Sequence, residues 1–181
     1  MFRSTFNEYK NAFQIEKTRL SRKGKSIFSN QNKFFVAIFR SIVIGLVIYS
    51  IGSIKALTCY LISAVISKIL LETVNYIEHY GLIRVEGKPV RPRHSWNSNT
   101  FISSAFTFNL TRHSSHHEKA YLPFWKLVPY ADAPMMPFGY LTTFFMALFF
   151  PYFYRKTMSK KLLDWDKRYA SDKERALISL F

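Results

Sequence analysis

The chain has 181 residues, 49% of them hydrophobic and 18% aromatic, and 26 Lys and Arg against 11 Asp and Glu give a formal charge of +15. Its apolar residues gather in long runs rather than studding a basic surface, which favours a membrane protein with basic cytoplasmic loops over a nucleic-acid binder. Cys59 is the single cysteine, so the chain forms no internal disulfide and no thiolate metal cluster of its own.

Residues 1–33 read as an amphipathic helix followed by a basic cytoplasmic loop. Phe2, Phe6, Tyr9, Phe13 and Leu20 fall near one helical face, as on a helix at a membrane interface or on an ordinary surface helix. Glu8 and Lys10 interrupt any apolar leader core, which argues against a cleavable secretory signal. From Lys17 to Lys33 basic residues recur without an acid, as the charge bias of cytoplasmic loops requires.

Residues 34–83 read as a transmembrane helical hairpin. A first apolar run, 34–51, contains only Arg40 as a charge, and Gly52-Ser53 makes the turn. A second run, 54–74, carries Lys55 and Lys68 near its ends, where both can snorkel. Arg84, Lys88, Arg91 and Arg93 follow at once, which returns the chain to the basic side. At the end of the second run Glu72, Asn75 and His79 share a helical face beside Glu78. Polar groups there are costly unless paired or metal-bound, although they also mark a membrane interface.

Residues 84–133 form the histidine-bearing segment. His94-Ser-Trp-Asn97-Ser-Asn99 is either a plain loop or a set of hydrogen-bonding groups beside a site. His113, His116 and His117 stand at the first, fourth and fifth positions of a short run, spacing that puts three imidazoles on one side of a helix. Neutral imidazole is the commonest metal ligand, and without cysteine partners an oxygen-activating iron suits a greasy substrate better than a thiolate zinc or an iron–sulfur cluster. Arg112, just before the run, has Glu118 or Glu78 as candidate partners.

Residues 134–181 read as an interfacial apolar helix and a charged helical tail. Pro137, Gly139 and Pro151 punctuate the run 134–154, and Lys126 and Arg155 flank it, which favours an interfacial or re-entrant helix over a third span.

The segments Asn75-Tyr-Ile-Glu-His-Tyr-Gly-Leu-Ile-Arg84, His94-Ser-Trp-Asn-Ser-Asn99 and Asn109-Leu-Thr-Arg-His-Ser-Ser-His-His117 resemble the membrane-bound alkane 1-monooxygenase family of the fatty acid desaturase-like superfamily. Glu16-Lys-Thr-Arg-Leu-Ser-Arg-Lys-Gly-Lys25 and Pro137-Phe-Gly-Tyr140 look similar too, so the resemblance runs from about Ala12 to Asp166. It implies an all-α integral membrane enzyme, in the inner membrane if bacterial, with two non-haem irons held by histidines at the cytoplasmic side. Such an enzyme hydroxylates the terminal methyl group of an alkane, or of a fatty acyl-like chain, with O₂ and electrons from a rubredoxin-type donor. The matching ligands here are His79, His113, His116 and His117, with no catalytic group beyond them. Glu72, Asn75, Glu78, His94, Asn97, Asn99 and Arg112 would orient those ligands.

The sequence departs from the family in several places. Thr111 stands where Gln is common, Ser115 where Asp is common, and Thr100 where a histidine often follows. The family also carries two earlier histidine boxes, whereas no histidine precedes His79 here. The expectation is therefore an incomplete, C-terminal half of the fold, with a separate N-terminal half as a partner and an active site that this chain does not complete alone. A related fatty acid desaturase or hydroxylase, and a non-catalytic membrane remnant, are the alternatives.

Overall fold

The computed structural model describes residues 2–178, with side chains from Thr5 onward, so the Phe2 side chain and residues 179–181 of the expected tail lie outside the described residues. The described residues are helical apart from loops and one isolated parallel bridge, Asn97 to Met135. The chain divides into two compact units, Met1–Glu72 and Thr73–Phe181.

The first unit contains α1 (Phe2–Ser21) and most of α2 (Lys33–His79). Asn32 starts α2 as its cap: Asn32 Oδ1 accepts the Phe34 and Phe35 N–H groups at 3.0 and 3.3 Å, while its amide donates to the Ile27 carbonyl. Glu16 ties α1 to the same end, accepting the Lys33 N–H and two bonds from Arg19.

Among the described residues α2 is the one helix long and apolar enough to cross a membrane. It is not straight. Gly52 and Ser53 leave helical geometry, with Ser53 at φ 58°, ψ −162°. A Cβ built on Gly45 would sit 3.7 Å from Leu57 Cδ1, whereas a continuous helix would carry those residues ~18 Å apart at 1.5 Å per residue. The chain therefore reverses at Gly52-Ser53 into two arms, 33–51 and 54–79, of about 28 and 39 Å. Helix α1 touches both arms at their open end. Phe13 packs edge-on against Phe34 and Phe35, while Lys68 pairs with Glu8 at 2.6 Å and with Glu72 at 2.7 Å. Hydroxyls on the arms (Ser41, Ser50, Thr58, Ser63) donate to carbonyls one turn back, so these polar groups need no outside partner.

The second unit begins with the last turns of α2. Gly81 (φ 70°) lets the chain leave the helix just past His79, and a Cβ there would strike Leu162. Short helices follow: α3 (Phe101–Phe106), α4 (His113–Glu118), α5 (Tyr140–Phe149), α6 (Pro151–Arg168) and α7 (Asp172–Ile178). The predicted apolar run 134–154 is not one helix. Phe150 breaks it and Pro151 opens α6, where a missing N–H costs nothing, leaving α5 about 15 Å long. The core of this unit is Ile77, Trp96, Met136, Tyr140, Tyr154, Met158, Trp165 and Ala170.

Candidate metal centre

Helix α4 is a six-residue turn whose own N-cap residue, Arg112, makes no side-chain cap. The missing partner comes from the loop before it. Asn97 Oδ1 accepts the Ser114 N–H at 2.9 Å, and Asn97 Nδ2 donates to Ser114 Oγ at 2.7 Å and to the Ser95 carbonyl at 2.8 Å. Ser114 Oγ in turn donates to the Pro92 carbonyl, and Ser115 Oγ accepts the Val128 N–H. The loop is also fixed to the end of α2. The Trp96 N–H donates to the Glu78 carbonyl and its indole to the Tyr80 carbonyl. Asn97 and Trp96 thus hold α4 and the end of α2 in one register, which the histidines need.

His79 Nε2 lies 3.1 Å from His113 Nε2 and 3.3 Å from His117 Nε2. One nitrogen from each of the three falls within 4.8 Å of the others. Ligands 2.0–2.1 Å from a cation are separated by ~2.9 Å when adjacent in an octahedron and ~3.3 Å in a tetrahedron, so these spacings suit one metal ion. His116 is on the same helix, with its ring centroid 5.9 Å from those of His113 and His117, but it does not join the three.

The other ring nitrogens decide which atoms are free to ligate. His79 Nδ1 faces the His94 carbonyl at 3.2 Å; a carbonyl only accepts, so the proton sits on Nδ1 and the Nε2 lone pair is available. His113 Nδ1 stands 3.3 Å from Glu78 Oε1. It is not aligned as a hydrogen bond, and both His113 Nδ1 and Glu78 Oε2 are buried without a partner. Glu78 Oε1 is held by the Tyr140 hydroxyl at 2.8 Å, which places a carboxyl beside the His113 ring on the side away from His79 and His117 Nε2. Burial, then the neighbouring imidazoles, push His113 down to about 2; burial, then His79, His116 and Arg84, push His117 down to about 4. Both rings are therefore neutral at neutral pH, the form that binds metal. A cleft of ≈ 260 Å³ lined by Leu82, Arg84, Val90 and His94 opens beside His79 and His117.

The remaining candidates fall in different places. His94 is buried with both ring nitrogens occupied: Nδ1 accepts the Arg91 N–H and Nε2 donates to Glu174 at 2.7 Å. Its contribution to the histidine group is its carbonyl. Asn99 is exposed and Asn75 half-buried. Glu72 belongs to the first unit, with Lys68 and the Thr5 hydroxyl. Arg112 pairs with neither predicted partner, for it donates to the Leu127 carbonyl at 2.6 Å, and Glu118 accepts from Tyr130.

Two residues outside the predicted set matter. Tyr140 lies 62 residues from Glu78, and only a distant element could bring it there. Glu174 accepts Arg93, His94 and both the N–H and hydroxyl of Ser171. Burial works to raise its pKa, but those donors prevail and hold the carboxyl down at about 2. Ser171-Asp-Lys-Glu174 is a capping-box pattern, so the start of α7 at least was open to a local reading.

Three neutral imidazoles converging beside an open cleft can hold a divalent cation and leave positions free for a small ligand. Known proteins are similar to this chain in sequence. The fatty acid desaturase family model matches residues 1–147. An alkane 1-monooxygenase of Ectopseudomonas oleovorans is 34% identical over 159 residues, covering 85% of this chain and 39% of that protein. The xylene/toluene monooxygenase hydroxylase component XylM of Pseudomonas putida is 35% identical over 176 residues, 96% of this chain and 47% of that one. An alkane 1-monooxygenase of Acinetobacter baylyi is 36% identical over 173 residues, with 90% and 41% covered. The chain spans less than half the length of these relatives, yet the family match runs through both the hairpin and the histidine segment: it belongs to the fatty acid desaturase family.

Proposed function

We propose that this chain supplies the His79, His113, His116 and His117 portion of a non-haem di-iron alkane 1-monooxygenase that hydroxylates terminal methyl groups with O₂. The observation that carries the reading is the convergence of His79, His113 and His117 within 4.8 Å, in a segment about one-third identical to alkane 1-monooxygenases. Iron held by these histidines would supply O₂ activation for insertion of one oxygen atom into an unactivated C–H bond, the other leaving as water with two protons and two electrons from the donor.

The roles of the chain's own residues come from their contacts. His79 and His117 line the cleft, and the Nε2 atoms of His113 and His117 lie 3.1 and 3.3 Å from His79 Nε2. The His94 carbonyl keeps the proton of His79 on Nδ1. Tyr140 holds Glu78 with its Oε1 3.3 Å from His113 Nδ1, and Asn97 holds the turn that carries both α4 ligands. His116, which stands outside the trio, is assigned to the second iron. The arms of α2 lie in the bilayer of the inner membrane if the source is bacterial, with the histidines on the cytoplasmic face, where a rubredoxin-type donor reaches them. Further ligands come from polypeptide other than these 181 residues.

A second reading rests on XylM, whose similarity extends over 96% of the chain: the hydrocarbon oxidised is then a methyl-substituted arene rather than an alkane. The test is iron content and turnover of the detergent-purified chain, alone and co-expressed with a polypeptide bearing the two earlier histidine boxes. Two irons and octane hydroxylation in the mixture only is the expected result. Turnover of xylene but not octane selects the second reading, and no iron in either preparation defeats both.

A further inference from the structure

Glu174 lies outside residues 1–147, the part matched to the family, yet it is 1% exposed and is the most heavily bonded carboxylate of the second unit. Its Oε2 accepts Arg93 Nε at 3.0 Å and the Ser171 N–H and hydroxyl at 2.8 Å each. Its Oε1 accepts Arg93 Nη2 at 3.2 Å and His94 Nε2 at 2.7 Å. From the other side the Trp165 indole donates to the Arg93 carbonyl at 2.7 Å, and the Arg91 N–H donates to His94 Nδ1 at 3.0 Å. The His94 ring is thereby held at both nitrogens, and its backbone with it. That backbone presents the one carbonyl that faces His79 Nδ1.

We propose that Glu174 is a positioning residue for the metal centre: by clamping Arg93 and His94 it keeps the His94 carbonyl on His79 Nδ1–H and so leaves His79 Nε2 as the ligand atom. The proposal rests on the metal-site reading of His79, His113 and His117. An imidazole has two neutral tautomers, and the one protonated at Nε2 cannot ligate through that atom. If the carbonyl shifts, the remaining contacts of the His79 ring, from Nε2 to His113 and His117 Nε2, can be met by either tautomer, because each of those nitrogens can donate or accept. Helix α7 then does more than cover the core, because its first turn sets the chemical state of a ring two contacts away.

The experiment uses the 181-residue chain in detergent micelles, with ¹⁵N-labelled histidine and cobalt(II) as the metal probe. In the metal-free protein the His79 ring, assigned by its loss in His79→Gln, should carry its proton on Nδ1. Glu174→Gln keeps the shape but offers an amide to groups that are themselves donors. It should turn His79 into a tautomer mixture and weaken cobalt binding about 10-fold, the low end for a residue that orients a ligand. Glu174→Asp should recover part of both. An unchanged His79 tautomer together with cobalt affinity within about two-fold of the parent overturns the proposal. Should Glu174→Gln lose helical circular dichroism, Ser171→Ala takes its place, since it removes one donor and strands no charge; it should shift the tautomer the same way by less, and no shift overturns the proposal. A parent chain that binds no cobalt, but whose His79 tautomer responds to Glu174→Gln, defeats the metal reading and leaves the clamp standing.

Discussion

The two units solve opposite problems with the same chain. In Met1–Glu72 the large apolar side chains face outward, with Phe39 66% and Ile51 83% exposed, and its few buried residues include Glu16 and Asn32. In Thr73–Phe181 the apolar residues form a packed core, and polar groups such as Ser114, Ser115, Asn97 and Glu174 are buried around it. An element that is greasy on every side is stable only in a solvent equally apolar, which is why the first unit reads as lipid-facing. A region that buries polar groups must pair most of them, and those bonds fix its geometry. The first unit is built for an environment and the second for a site.

That division predicts that each unit can be damaged without the other. The largest effect belongs to the ligands. His113→Ala removes the most buried of the three converging imidazoles and should lower metal affinity by more than the roughly 100-fold that loss of a supporting residue can cost. Membrane insertion, read by alkaline extraction of membranes, should stay as in the parent. Insertion that fails along with metal binding would mean the site and the hairpin are one cooperative structure.

The converse change is Ile42→Arg, in the middle of the first arm at a position 55% exposed. A charge near the centre of a span costs about 2.5–3.5 kcal/mol on the insertion scale, so the ratio of inserted to uninserted chain should fall by roughly two orders of magnitude. The molecules that do insert should bind metal normally. Normal insertion of Ile42→Arg would show that the outward apolar face of α2 is covered by protein rather than lipid.

The contrast also explains what could be read from the sequence. Composition along the chain is a local property, so the apolar arms and the Gly52-Ser53 break between them are legible without a structure. Spacing within a helix is local as well, and the first and fifth positions of the histidine run do meet. What spacing could not supply is which imidazoles share a metal. His116 is on the same turn as His113 and His117, yet His79, from another helix, completes the group. The hydrogen-bond partners are farther still from local reach: Tyr140 meets Glu78, and Glu174 meets His94, across stretches that no pattern of neighbours encodes. Arg112 illustrates the reverse error, since its candidate partners Glu118 and Glu78 imply an ion pair that the Leu127 carbonyl replaces.

The acid side of the stability profile sharpens the comparison further, because each unit holds a buried carboxylate ionised, Glu16 in the first and Glu174 in the second. Glu174 is at about 2 when folded, against 4.5 for the free side chain. Between those values the unfolded chain binds the extra proton, so the contribution is complete above about pH 4.5 and is lost as pH falls through 4.5 toward 2. Melting of the second unit, followed through Trp96 and Trp165 fluorescence, should decline across that window in the parent. In Glu174→Gln the decline should be shallower, from a lower starting point. Parallel profiles would mean that Glu174 is no more ionised in the folded protein than in the unfolded one.

The smallest effect tests the turn on which the first unit depends. Ser53 adopts φ 58°, ψ −162°, a region that only glycine occupies without strain, at a cost of order 1–3 kcal/mol for other residues. Ser53→Gly removes that strain but restores chain freedom to the unfolded state, which offsets about 0.5–1 kcal/mol, so a net gain near 1 kcal/mol is expected. Gly52→Ala should act in the opposite direction, because its new Cβ would collide with Ala56 Cβ. The pair makes the test specific to the reversal. In a straight helix both residues would sit mid-helix, where glycine is the worse choice, so Ser53→Gly would destabilise and Gly52→Ala would stabilise. Unfolding midpoints in detergent that move in those inverted senses would replace the hairpin with one continuous rod.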